Sequence, residues 1–169
     1  MGWVRSETYL KQFPDQILSQ GFTLPHELTL RETANGLRVF FTPVKEVEQL
    51  RGDVLADGKN LTAAQAETLL QACNGELSEV LIEYAGFGRN SLQINGVDAT
   101  FSGQTARIFT DRTVTELYIN DGLGYDVRKR PEPKLESTQT QLKAGEGVIV
   151  RSLKIFRLNS IWRTDPKQK

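Results

Sequence analysis

Between Ile108 and Gly122 the chain sets a guanidinium, a carboxylate and a phenol close together, Arg112, Glu116 and Tyr118, in the run I-F-T-D-R-T-V-T-E-L-Y-I-N-D-G. With side chains alternating along an extended backbone, these three are expected on one face. They could hold a polar ligand through planar hydrogen-bonding groups, or form an Arg112–Glu116 surface pair beside an exposed tyrosine. Little else could do chemistry. His26 is the one histidine and Cys73 the one cysteine, so His-based metal sites, zinc clusters, Ser-His-Asp catalysis and an internal disulfide have almost no material. No His- or Cys-based catalytic residue and no metal ligand is expected on these grounds.

The element that carries the three residues reads as a strand. Thr, Val, Ile, Phe and Tyr suit a pleated, half-buried surface. From Thr113 the run alternates, with Thr113, Thr115, Leu117 and Ile119 on one face and Val114, Glu116 and Tyr118 on the other. Asn120-Asp121-Gly122 supplies residue types that tolerate positive φ in a tight hairpin. The expectation is a strand with an apolar face and a mixed, solvated face that carries Glu116.

The rest of the chain supports one domain. Its 169 residues suffice to bury about 70% of the unfolded surface. Lys plus Arg and Asp plus Glu number 21 each, so the basic footprint of a nucleic-acid binder is absent from the totals. Arg128-Lys129-Arg130 before Pro131 reads as a solvated loop. No apolar run reaches membrane-span length, and Met1 to Arg5 lacks a signal peptide's apolar core. The chain is therefore expected to be cytoplasmic, processed or cut from something longer, and its localisation stays open.

Residues 1–20 read as a lead-in segment whose Trp3, Tyr9 and Phe13 must pack on something. Phe22 to Leu30 alternates around Pro25, which implies an edge position or a bulge. Asn35-Gly36 signals a hairpin into Leu37–Val44, where Leu37, Val39 and Phe41 share a face. Short strands recur at 77–84, 91–94, 97–101, 138–142 and 147–158. About ten such strands imply two antiparallel sheets packed face to face over residues 21–163, followed by a polar tail at 164–169. One segment conflicts with an all-β reading. Thr62 and Gln65 could form a capping box, Ala63, Ala66, Leu69, Leu70 and Cys73 have helical spacing, and Asn74-Gly75 would end such a helix.

Four motifs in order resemble a known family. L-P-H-E-L-T-L at Leu24–Leu30 is similar to the L-P-R-E-L-T-L that opens the C-terminal β-sandwich module of glycoside hydrolase family 32, the invertases, levanases and inulinases. Phe41-Thr42-Pro43-Val44, Glu46 and Leu50-Arg51 resemble its Q-P-V, E and L-R. Asp111, Arg112, Glu116, Asn120, Asp121 and Gly122 match its V-D-R-S-S-V-E-V-F-V-N-D-G, and Leu158–Trp162 resembles its L-x-S-I-W. Gly2-Trp3 is similar to the last strand of the propeller that precedes the module. Two departures stand out: His26 where the family has Arg, and Thr115 where it has Val.

The resemblance implies an all-β, jelly-roll or lectin-like (concanavalin-like) sandwich of two sheets of about six strands each. It allows at most one helical turn at 62–75, against the local signals. It also implies a chain without its own catalysis, because the family's carboxylates reside in an N-terminal five-bladed propeller, in W-M-N-D-P-N-G, R-D-P and E-C. Retaining hydrolysis needs two carboxyls about 5 Å apart. None of those motifs occurs here: Arg163-Thr164-Asp165-Pro166 is not R-D-P, and Ala72 precedes Cys73. The implied role is a non-catalytic accessory module that packs on the propeller, in cis or in trans. Fructan or fructose would be its sugar, with Arg112, Glu116 and Tyr118 as candidate contacts. A purely structural or self-associating module is the second reading. An unrecognised active enzyme, using paired carboxylates among the 21 acids, is the third. No cofactor, nucleic acid or membrane is expected.

Overall fold

The computed structural model describes residues 2–5, 20–86, 89–94, 97–112, 114–129, 140–143 and 148–161. Its main layer is a six-stranded antiparallel sheet. The strands are β5 (Arg51–Thr62), β6 (Ser78–Tyr84), β9 (Thr105–Thr110), β10 (Val114–Ile119), β11 (Gly124–Lys129) and β13 (Ile149–Leu158), in the order β11-β10-β9-β6-β13-β5. A second sheet pairs β7 (Arg89–Ile94) with β8 (Val97–Ser102) and β12 (Gln141–Lys143). Between the two lies the main core. Val80, Ile82, Ala106, Ile108, Leu117, Leu153 and Ile155 of the large sheet meet Leu92, Ile94 and Leu142 of the small one. The period-two alternation of each strand places these residues on one face, and their burial is the chief stabilising term.

Two further pairs complete the described chain. β1 (Trp3–Arg5) pairs with β2 (Gln20–Phe22), and β3 (His26–Thr33) pairs with β4 (Gly36–Pro43) as the hairpin that Asn35-Gly36 predicts. Pro25 lies between β2 and β3, where its missing N–H interrupts no ladder. Tyr9 and Phe13 of the lead-in, Thr113, and Trp162 with the polar tail lie outside the described residues.

Two expectations need correction. First, Ile108–Gly122 is not one strand. β9 ends at Thr110, and the chain turns at Asp111 and Arg112, where the Asp111 N–H donates to the Val114 carbonyl at 2.9 Å and the Arg112 N–H to the Asp111 carboxylate at 2.7 Å. Nor has β10 a solvated face: Val114 to Tyr118 are all buried. The face opposite the main core is covered by a second cluster of Val47, Phe109 and Tyr118, with Leu24, Val44, Leu50 and Leu158 packed around it. Alternation in one strand shows which residues share a face. It does not show what a segment 92 residues away will lay across it.

Second, 63–70 is a helix of two turns, not one. Helix α1 (Ala63–Leu70) starts on a capping box. The Gln65 N–H donates to Thr62 Oγ1 at 3.3 Å, and the Thr62 N–H donates to Gln65 Oε1 at 2.9 Å. It tightens into a 3-10 turn at Gln71–Cys73 and ends at Gly75, at φ +74°. Ala66, Leu70 and Cys73 are buried in the main core. At its end, Asn74 Oδ1 accepts from both the N–H and the hydroxyl of Thr140, at 3.0 and 2.7 Å. Local capping and helical spacing therefore prevailed over the all-β family pattern, because the helix packs its apolar side into the main core against β5 and β12. Thr62→Ala is expected to lower unfolding free energy by about 1 kcal/mol through loss of the cap; a urea midpoint unchanged from the parent chain would show the cap to be idle.

Candidate functional site

The face of the large sheet opposite the main core carries the polar chemistry. Glu116 sits at its centre with a side chain only 6% exposed. Its Oε1 accepts from the Leu24 N–H at 2.7 Å. Its Oε2 accepts from the Tyr118 hydroxyl at 2.9 Å and the Tyr125 hydroxyl at 2.8 Å. His26 Nε2 lies 3.4 Å from the same oxygen and 2.8 Å from the Tyr118 hydroxyl. Three elements meet here. β10 supplies Glu116 and Tyr118, β11 places Tyr125 directly opposite Tyr118, and the chain entering β3 brings Leu24 and then His26. Around them the His26 and Tyr125 rings pack edge-on at 4.7 Å, and Phe41 stacks on Tyr125 at 5.4 Å.

Such a carboxylate is saturated. Each oxygen already accepts, and the group is closed off from solvent, so it is not presented to a substrate. Its work is to fasten the β3–β4 hairpin to the sheet. The tyrosines register the same enclosure. Burial foremost, and then the Glu116 charge, pushes the Tyr118 phenol far above its ordinary range; burial and then the hydrogen bond to Glu116 do so for Tyr125. Burial alone raises Tyr84. A folded value raised above the unfolded one means stability fully present below the unfolded pKa of about 10 and lost as pH climbs beyond it. Three of the four tyrosines are therefore expected to resist ionisation past pH about 11 and then to ionise together with unfolding. Tyrosinate absorbance followed alongside near-ultraviolet dichroism checks this, and independent titration of all four near pH 10 with the fold intact would contradict it.

The predicted trio is thus divided. Glu116 and Tyr118 are brought together and buried, whereas Arg112 stands exposed in the β9–β10 connection. The pattern did not reveal His26 and Tyr125, which complete the cluster from other elements. His26 carried one signal, its departure from the family's Arg. In this chain that position faces Glu116, with His26 Nε2 standing where the family's guanidinium would.

A second polar group also escaped the sequence reading. Glu79 on β6 is fully buried. Arg51 holds it through Nε at 2.6 Å and Nη2 at 2.9 Å, and Arg107 through Nε at 2.7 Å. Glu48, in the 3-10 turn Lys45–Leu50, lies 3.2 Å from Arg51 and 3.7 Å from Arg107, closing a ring of alternating charge. The hydrogen bond to Glu79 is the first cause of the raised Arg51 pKa, against the opposing effect of burial. Arg51 belongs to the L-R motif, but Glu79 and Arg107 lie inside ordinary strand patterns and carry no local mark.

The Asn120-Asp121-Gly122 turn is also a fastener. Its φ values are +51°, +57° and +94°. Asn120 Oδ1 accepts from the Gln104 N–H at 2.9 Å, which ties this turn to the β8–β9 turn. The Gly122 carbonyl accepts from the Phe41 N–H at 2.9 Å, which ties it to the hairpin.

With this geometry in hand, the likeness to known proteins can be weighed. The chain is 28% identical to a levanase of Bacillus subtilis (strain 168) across 98% of its own length and 31% of that protein's. It spans about a third of the length of that relative. Its fold superposes on an exo-inulinase from Aspergillus awamori with a TM-score of 0.67 at 10% identity, covering 95% of this chain and 40% of the other. It also superposes on a glycoside hydrolase family 32 protein from Bifidobacterium adolescentis, with a TM-score of 0.52 at 18% identity over 83% and 26% of the two chains. No family model matches the chain. Ordered motifs, sequence likeness to levanases over nearly the whole chain and a shared antiparallel sandwich together support a glycoside hydrolase family 32 C-terminal module.

Proposed function

We infer that this sandwich is the non-catalytic accessory module of a fructan- or sucrose-degrading glycoside hydrolase, and that it supports the catalytic propeller by docking on it. The observation that carries the reading is the outer end of the β3–β4 hairpin. The register sets Leu30 opposite Val39 and Leu28 opposite Phe41, on the same face as Leu37. Leu28, Leu30, Leu37 and Val39 are 60%, 65%, 61% and 45% exposed. A continuous aliphatic stripe of this kind is a liability in water and marks a surface that another protein covers. The root of the same hairpin is clamped by Glu116, so the stripe is presented on a rigid arm. The motif carboxylate itself is occupied by three donors, which fits a structural role better than a catalytic one.

The test uses the chain and the catalytic propeller expressed separately. Association is expected, and Leu30→Asp with Val39→Asp should weaken it at least about a hundredfold while leaving the module folded, since a charge on each side of the stripe must be desolvated. The chain alone should release no reducing sugar from sucrose, inulin or levan. Hydrolysis by the purified chain, or association indifferent to the two substitutions, overturns the reading. The same stripe favours one alternative, a second copy of the module as its cover. A dimer in sedimentation that the two aspartates dissociate would decide for it.

A further inference from the structure

We propose that the cleft between the hairpin and the large sheet is a carbohydrate site that takes one neutral sugar unit. The proposal deepens the preceding reading and rests on it for the class of sugar, a fructosyl unit or the end of a short fructan. The cleft has a volume of about 350 Å³, within the range of small-molecule sites of roughly 300–1,000 Å³. It lies beside the Glu116 cluster, between the root of the hairpin and the large sheet.

Its chemistry suits a polyol. Leu81, Phe41 and Pro43 contribute an apolar wall for the C–H side of a ring. Thr42, Thr105 and Ser152 bring hydroxyls that both donate and accept. Charges of both signs line it in equal number, Arg31 and Arg107 against Glu83 and Asp121. Neither sign of charge therefore dominates the lining, whereas a neutral ligand dense in hydroxyls finds donors and acceptors together. The groups are held in place before any ligand arrives. Thr105 donates to Asp121 Oδ1 at 3.3 Å, Arg151 holds Glu83 at 2.6 Å, and Arg31 lies over the Phe40 ring at 4.4 Å. Pre-organisation of this kind removes part of the ordering cost of binding. Asp121 is the residue best placed to choose a sugar. It is exposed at the mouth, its left-handed backbone is one that Asp and Asn accept, and Oδ1 takes only the long bond from Thr105.

Amide chemical shifts of the full chain, titrated with fructose, with 1-kestose and with fructose 6-phosphate, test the assignment. The two neutral sugars are expected to shift amides at 105–107 and 121–122, and the added phosphate should not improve binding. Asp121→Asn keeps the backbone preference and removes the charge; it should weaken binding about tenfold, the factor carried by one charge-assisted hydrogen bond. Ser152→Tyr fills the cleft and should abolish binding without lowering the melting temperature. The site is overturned if saturating neutral sugar moves none of these amides, if Ser152→Tyr binds as the parent does, or if the shifts gather around Arg112 instead. Association with the propeller is measured separately. Its failure with sugar binding intact removes the docking role and leaves the cleft standing; its success without sugar binding does the reverse.

Discussion

Glu79→Ala is expected to lower the unfolding free energy by about 3 kcal/mol or more, one of the largest losses available to a single polar substitution in this chain. Glu79 is the most enclosed charge of the described residues, fully buried and held by three guanidinium hydrogen bonds. Removing it leaves Arg51 and Arg107 facing each other with only the half-exposed Glu48 to offset them. The two arginine side chains are 22% and 23% exposed, so they can turn partly toward water, which places the loss at the lower end of the range for a broken buried pair. Their aromatic supports resist that turn, since Arg51 lies 4.6 Å over Phe156 and Arg107 4.9 Å over Phe109. Urea unfolding at neutral pH measures the effect. Replacing Glu79, Arg51 and Arg107 together by Met should recover most of it, because no unpaired charge then remains. A single-variant loss under about 1 kcal/mol would show the ring to be no more than a surface pair.

Gly122→Ala is expected to detach the hairpin from the sheet, at a cost of about 3 kcal/mol. A methyl group there would overlap the Phe41 carbonyl oxygen, and the glycine sits at φ +94°, where a side chain is strained even with space around it. The obstacle is backbone, held in the β3–β4 ladder, so it cannot move aside as a side chain would. The backbone hydrogen bond from Phe41 to the Gly122 carbonyl would be lost with it. Hydrogen exchange localises the change. The Phe41 amide should lose protection far more than the amides of β6 and β13, which belong to the main core. Equal protection of Phe41 in the variant and the parent would mean that the hairpin is held elsewhere. Because Glu116 clamps the same arm, Gly122→Ala and Glu116→Gln are expected to be non-additive.

These two residues show how differently the fold declared itself. Gly122 could be picked out from the chain alone, since Asn-Asp-Gly after an alternating run is a turn by its own dihedral preferences. What the glycine does beyond turning, admitting Phe41 to the backbone, is a contact across 81 residues and left no mark at either end. Glu79 was not legible at all. In the run S-E-V-L-I-E-Y nothing local separates it from Glu83, whose side chain is partly exposed. Helix α1 is the opposite case: every signal for it was local, and the expectation failed only where the family pattern was allowed to outweigh the capping box.

The amino-acid order by itself determined the short-range features, because they depend on residues within a turn of one another. These were the strand periods, the Asn-Gly and Asn-Asp-Gly turns, the capped helix, and the set of ordered motifs that carry the family resemblance. Tertiary structure alone decided what covers the second face of the large sheet. That face was mixed by pattern, and only the return of Leu24 and His26 over β10 turned Glu116 from a candidate ligand contact into a buried clamp. A buried carboxylate is stable only when its oxygens are satisfied, and its donors here come from three separate elements, so no local reading could have assembled them.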